Sequence, residues 1–173
     1  MADGTDAYFR ETQRLPGWAM ALVIVSAGSS IAIFAVGFYV QLVRGEPWGN
    51  NPMSDGALIA MGAVFIVIGI ALILLFATLR LITVIHTDAV QIRFAPMRTK
   101  RIPLVEVASV EIQTIRPIRD FGGWGVRYRR GVKAYIASGD RAVRLNMLDG
   151  RDIVIGSQQP HELEAAIRTW LGR

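Results

Sequence analysis

Hydrophobic residues crowd into two unbroken runs, 18–40 and 57–79, each 23 residues long and free of Asp, Glu, Lys, Arg and His. A helix needs about 20 apolar residues to cross a hydrocarbon layer of about 30 Å. Lipid offers the backbone no hydrogen-bond partner, so each run is expected to span as a helix. The first is too long for the apolar region of a signal peptide, about 7–15 residues, and no A-x-A site follows it. Both runs are therefore expected to stay in the protein as a hairpin, with 41–56 as the connecting loop and 1–17 as a short tail.

After Leu79 the apolar period shortens from continuous to alternating. Residues 81–86 and 90–94 are rich in β-branched side chains and are separated by Thr87-Asp88-Ala89, which predicts two strands with a tight connection. Residues 102–107 begin around Pro103 and predict a helical turn, followed by a strand over 109–115. A long glycine-punctuated loop over 116–131 comes next. Strands are then expected over 133–137, 141–147 and 152–155, joined by Ser138-Gly139-Asp140 and by the hairpin signal Asp149-Gly150. Pro160, the early Glu162 and Glu164, and the closing Gly172 frame a final helix. On it Leu163, Ala166, Ile167, Trp170 and Leu171 form one apolar stripe, which makes Trp170 a core plug. Six short antiparallel strands and a terminal amphipathic helix predict a small sheet sandwich or open barrel over 80–173.

Charge changes this picture by giving it a direction. Residues 80–173 hold 16 Lys and Arg against 9 Asp and Glu, whereas 1–79 hold 3 against 5. Orientation follows basic residues near the spans. Arg10 and Arg14 precede the first span; Arg80, Arg93, Arg98, Lys100 and Arg101 follow the second; the loop between has Arg44 alone. Both termini are thus expected inside, with the C-terminal domain cytoplasmic at the inner (plasma) membrane. Trp18, Tyr39 and Trp48 stand where rings settle at headgroup level, and Arg80 can snorkel to the surface. Gly28, Ala32 and Ala35 share one helix face, as do Gly62 and Gly69, where small residues let helices approach.

Specific words in the domain carry a resemblance. Arg-Pro-Ile-Arg-Asp-Phe-Gly-Gly-Trp-Gly-Val-Arg over 116–127, Ala-Tyr-Ile-Ala-Ser-Gly over 134–139, and Leu-Asp-Gly-Arg over 148–151 with Ile-Gly-Ser-Gln-Gln-Pro-His-Glu-Leu over 155–163 resemble the bacterial pleckstrin-homology-like (PH-like) domain of small two-helix membrane proteins. The resemblance covers about residues 80–171. It implies a bent seven-stranded antiparallel sheet capped by a C-terminal α-helix, one strand more than the alternation gives. It supplies a fold more readily than a function. The expected class is an α+β membrane protein, a transmembrane hairpin followed by such a domain.

Candidate chemistry is sparse. The chain has no cysteine, which excludes disulfides and thiolate sites. His86 and His161 stand alone, and no nucleophile–base pair, phosphate loop or ligand-spaced cluster is present. No catalytic residue, cofactor or metal site is assigned, and the basic balance is assigned to membrane tethering rather than nucleic acid. The better candidates are Arg116, Arg119, Arg127, Arg129, Arg130 and Lys133, which face one acid, Asp120, across 18 residues, with Trp124 among three glycines. Anionic lipid attracts such residues by about 1 kcal/mol each near the surface. Phe121 is expected inside the fold; Trp124 is either core or contact. Two functions remain open. In one the domain is a scaffold or accessory subunit, assembling with itself or a larger membrane complex; in the other its basic loop reads anionic headgroups. A long exposed apolar sheet edge would favour the first and a concave basic pocket under the glycine loop the second.

Overall fold

The computed structural model describes residues 7–97 and 99–172, so Arg98, counted above among the flanking basic residues, lies outside the described residues. The chain is α+β and divides into two units: the two long apolar helices, and a domain built from the segments on either side of them.

In the first unit, α1 (Gly17–Phe38) runs on through a π-helical turn (Tyr39–Val43), and α2 covers Asp55–Thr78. Both are long and apolar enough to cross a membrane. They touch along a narrow stripe. Gly69 leaves room for Ala27, whose Cβ would lie 3.3 Å from a Cβ at position 69. A Cβ on Gly62 would fall 2.3 Å from the Phe38 ring, and one on Gly37 would fall 2.7 Å from Trp48. The Gly62 and Gly69 face is therefore the contact face of α2. On α1 the contact runs through Ala27 and Phe38, with Gly37 against Trp48 of the connecting segment, while Gly28, Ala32 and Ala35 are exposed. The expectation for α1 misses by one position, because alanine and glycine occupy both faces and pattern alone does not rank them.

The second unit opens with a strand where a tail was expected. β1 (Phe9–Arg14) pairs antiparallel with β2 (Arg80–Ile85), Phe9 opposite Ile85 and Arg14 opposite Arg80. β3 (Ala89–Ala95) and β4 (Thr99–Pro103) complete a four-stranded sheet in the order β1-β2-β3-β4. After a 3-10 turn (Leu104–Glu106), β5 (Val107–Thr114), a short α3 (Pro117–Phe121), β6 (Gly125–Arg129), β7 (Val132–Ile136), β8 (Arg141–Met147) and β9 (Asp152–Gly156) follow, and α4 (Pro160–Leu171) closes the chain. The second sheet has the order β5-β8-β9-β7-β6.

Among the described residues nine strands thus stand where six were expected. The additions are β1, β4 and β6, the last formed inside the segment expected as loop. The sheets are not closed barrels, and they are not wholly antiparallel, since β7 and β9 run parallel. Hairpin signals reveal only strands adjacent in sequence, and this pairing skips β8.

One apolar core joins residues of both sheets, among them Leu81, Ile92, Leu145 and Ile155, with Leu163 and Ile167 of α4. Leu163 and Ile167 are fully buried; Trp170 is half-buried at the core margin and lines a groove of about 380 Å3 with Tyr8, His86 and Glu162. Trp170 therefore covers the core rather than plugging it.

β1 is fastened by polar contacts as well as by its ladder. Its inward positions are Phe9, Glu11 and Gln13, all buried. Glu11 accepts from the Ser157 hydroxyl (2.6 Å) and the Gln158 backbone N–H (2.7 Å). Gln13 donates to the Gly156 carbonyl (2.7 Å), and Gln158 donates to Ser138 (3.0 Å). Buried polar atoms cost free energy unless paired. The Gly-Ser-Gln word is thus the receptor for the inward side of β1.

Candidate functional site

Local chemistry explains why the expected loop folds. Pro117 fits the first position of α3, and the Asp120 carboxylate accepts from the Arg116 backbone N–H at 2.7 Å. That donor, with Arg119 beside it, holds the Asp120 carboxyl below its ordinary range. At the other end Gly122 takes φ 75°, and the N–H groups of Gly122 and Gly123 donate to the carbonyls of Ile118 and Pro117, both at 2.9 Å. This is a glycine C-cap that a residue with a side chain would strain. The Arg129 guanidinium reaches from β6 and donates to the carbonyls of Arg119 (2.7 Å) and Asp120 (2.9 Å). Phe121 and Trp124 both pack against a second apolar cluster of Ile115, Ala134, Ile136, Ala142 and Val154.

The seven candidate residues therefore separate. Arg116, Arg119, Trp124, Arg127 and Arg129 gather about α3 and β6; Arg129 is engaged in capping α3 and Arg119 stands 3.5 Å from Asp120. Arg130, at φ 50°, and Gly131, at φ 83°, form the two-residue turn between β6 and β7, a geometry with positive φ at both positions. Lys133 lies on the opposite face of the strand from Ala134, its ammonium 5.5 Å from the Tyr135 ring centroid.

Beside that turn lies a concave cleft of about 300 Å3. Its charges nearly balance: Lys100, Arg101, Lys133 and Arg151 against Glu106, Asp149 and Asp152. Arg151 bonds Asp149 and holds its carboxyl below the ordinary range, and Arg101 bonds Asp88 at 2.6 Å. The cleft is not the basic pocket that would mark a headgroup reader.

Three of the four sheet edges, β4, β5 and β6, are equally guarded. β4 and β6 are five residues long and carry Lys100, Arg101, Arg127 and Arg129, features that oppose strand addition. On β5, Arg168 of α4 donates to the Val110 carbonyl at 3.2 Å.

A different basic surface emerges on the outer face of the first sheet. The register puts Arg14 opposite Arg80, Ile82 opposite Arg93 and Thr12, and Val84 opposite Arg10 and Gln91. Arg10, Arg14, Arg80 and Arg93 are exposed, and among the described residues none of them pairs with a carboxylate. Sequence reading treats these four as orientation signals, and Arg80 also as a snorkelling anchor, but not as one surface. The Arg-x-x-x-Arg spacing of 10 and 14, alternating with Phe9, Glu11 and Gln13, is the signal for a shared face. Elsewhere His86 meets Gln91 at 3.1 Å, and among the described residues no group of three or more His, Asp or Glu is placed to hold a metal ion.

A family described as "Family of unknown function (DUF6141)" matches residues 2–172. No curated protein and no solved structure matches the chain.

Proposed function

The chain belongs to the DUF6141 family, and we propose that it is a non-catalytic, membrane-anchored interaction module, its sheet domain held at the cytoplasmic face by a two-span hairpin. One observation carries this reading: β1, before α1, and β2, after α2, are neighbouring strands of one sheet. A strand pair cannot form through a bilayer, so both ends of the helical segment belong to one side. Among the flanking basic residues, Arg14 and Arg80 adjoin the helices, which makes that side the cytoplasmic one under the positive-inside bias. The inner (plasma) membrane is the location that follows.

The PH-like part of the reading rests on the quoted words, the consecutive β2-β3-β4 run and the helix α4 over the core. The parallel β7–β9 pair and the additional strands depart from the pattern it implies. The module acts as a scaffold or accessory subunit through its exposed loops, since its β4, β5 and β6 edges are short, charged or covered. Tyr128, 72 % exposed on β6, is the large apolar residue such a contact would bury.

The chain lacks cysteine, so single cysteines report cleanly. Asn50→Cys should react with an impermeant reagent from outside intact cells, and Asp140→Cys only after permeabilisation. A photo-crosslinker at Tyr128 in native membranes should yield protein adducts. Outside labelling at 140 would sink the topology, and crosslinks to lipid alone would sink the scaffold role.

A further inference from the structure

We infer that the outer face of the first sheet is a docking surface for the anionic phosphates of the bilayer leaflet from which the two helices emerge. The inference rests on the membrane-anchored reading above and adds the ligand and the face.

Three observations converge. First, Arg14 and Arg80 are directly opposed across β1 and β2, and like charges so placed repel. No carboxylate among the described residues relieves them, so an external anion is the partner their geometry lacks. Second, covalent geometry fixes where this pair can be. Arg14 is three residues before Gly17 and Arg80 two after Thr78; at no more than about 3.6 Å per residue, both lie within about 11 Å of a helix end. Third, the charge pattern is graded along the strands. Arg93 sits one row further out and Arg10 two, with strand residues rising about 3.3 Å each. Arg101, in the same row as Arg10, already has Asp88. The unmatched charge is thus densest in the Arg14–Arg80 row, the one nearest in sequence to the helices. The register also puts Ala95 opposite Arg80, so exposed Met97 follows just beyond that row.

Phosphate is the chemistry this surface fits. Guanidinium groups bind phosphate oxygens bidentately, and a leaflet presents phosphates in a plane, as an open sheet face requires. An acidic protein segment is the competing occupant, and the experiment separates the two.

The full chain carrying a fluorophore at Thr12→Cys, on this face, is reconstituted into bilayers holding a headgroup-linked quencher. Bilayers of phosphatidylcholine alone are compared with bilayers containing phosphatidylglycerol. Quenching should be strong with the anionic lipid, and lost when 1 M salt shortens the Debye length from about 10 Å to about 3 Å. Arg14→Gln, Arg80→Gln and Arg93→Gln together should lower the ratio of docked to undocked states about a hundredfold, taking about fivefold per charge. Arg93→Gln alone should lower it about fivefold, which serves if the triple variant folds poorly. Neutralising Arg80 should not lower the melting temperature in neutral detergent, because it removes a repulsion.

Equal quenching in both lipid compositions would overturn the inference, leaving proximity by tether only. Absence of quenching in both would overturn it in favour of an acidic protein segment. So would loss of quenching on Arg127→Gln with Arg130→Gln but not in the triple variant, which would move the contact to the β6–β7 turn. Labelling at Asn50 in the same samples scores the topology independently of all these outcomes.

Discussion

Glu11→Ala is the sharpest test of how the N-terminal strand is held. The carboxylate is 7 % exposed and accepts two hydrogen bonds, from Ser157 at 2.6 Å and Gln158 N–H at 2.7 Å. Hydrogen bonds to a charged group contribute about 1.5–3 kcal/mol, and a buried donor left unpaired costs about 1–3 kcal/mol. Ser157 is 2 % exposed, so the upper half of that range applies to it, about 2–3 kcal/mol. Gln158 is exposed and water can replace part of its bond, leaving about 1 kcal/mol. The sum of about 3–4 kcal/mol is a large share of a domain stability of about 5–15 kcal/mol. For a domain of roughly a hundred residues it lowers the melting temperature by about 12–16 °C, at about 4 °C per kcal/mol. Denaturation of the full chain in detergent, followed by near-ultraviolet circular dichroism, measures it. Ser157→Ala removes the other side of the stronger bond, and a double-mutant cycle should give a coupling of about 1.5–3 kcal/mol. Effects that add to within about 0.5 kcal/mol would refute the argument, because Glu11 and Ser157 would then not be acting on each other.

Two further outcomes follow from packing and charge. Ile167→Ala, at a fully buried position of α4, should cost about 3 kcal/mol, whereas Trp170→Ala should cost about 2 kcal/mol because the ring is only partly buried at the core margin; the reverse order in chemical denaturation would return Trp170 to the role of plug. For Asp120, a carboxyl held below its ordinary 3.8 by the Arg116 N–H, and then by Arg119, stabilises α3 fully above about pH 4. That contribution is lost as pH falls through the depressed value, so an NMR titration of Asp120 should have its midpoint below 3.8 and Asp120→Asn should remove the acid-induced loosening of residues 117–123. A midpoint at or above 3.8 would contradict the cap.

What the sequence discloses depends on which side of each strand is apolar. β3 and β8 are legible because Ile92 and Leu145 stand between polar neighbours, and β2 and β9 because they are rich in β-branched residues. The hairpin at Asp149-Gly150 and the closing helix are legible from their local chemistry, with Gly150 at φ 78° as such turns require. β1 is hidden because two of its three inward positions are Glu11 and Gln13, which become acceptable inside only through partners more than a hundred residues away. β4 has a single fully buried side chain, Ile102, and β6 is a glycine and arginine stretch with none. The candidate site divides for the same reason. Arginines close in sequence, such as Arg129 and Arg130, suggest a cluster, yet one caps a helix and the other turns a hairpin. Arg14 and Arg80, 66 positions apart, suggest nothing until the strand register sets them side by side.

The interrupted origin of the first sheet also orders its assembly during synthesis. β1 emerges first, but β2 cannot exist until both apolar helices have been made, so β1 must wait for about 65 residues of chain before it finds its neighbour. On the proposed membrane-anchored reading, helices threaded correctly let the strands meet and the sheet complete. A chain whose first helix were threaded in reverse would strand β1 across the bilayer. β2 would then be left as a bare sheet margin, with Ser157 and Gln158 lacking their carboxylate. Such a domain would be short of its first strand and exposed to proteolysis. Under the proposed topology, completion of the sheet would therefore distinguish correctly threaded chains from mis-threaded ones.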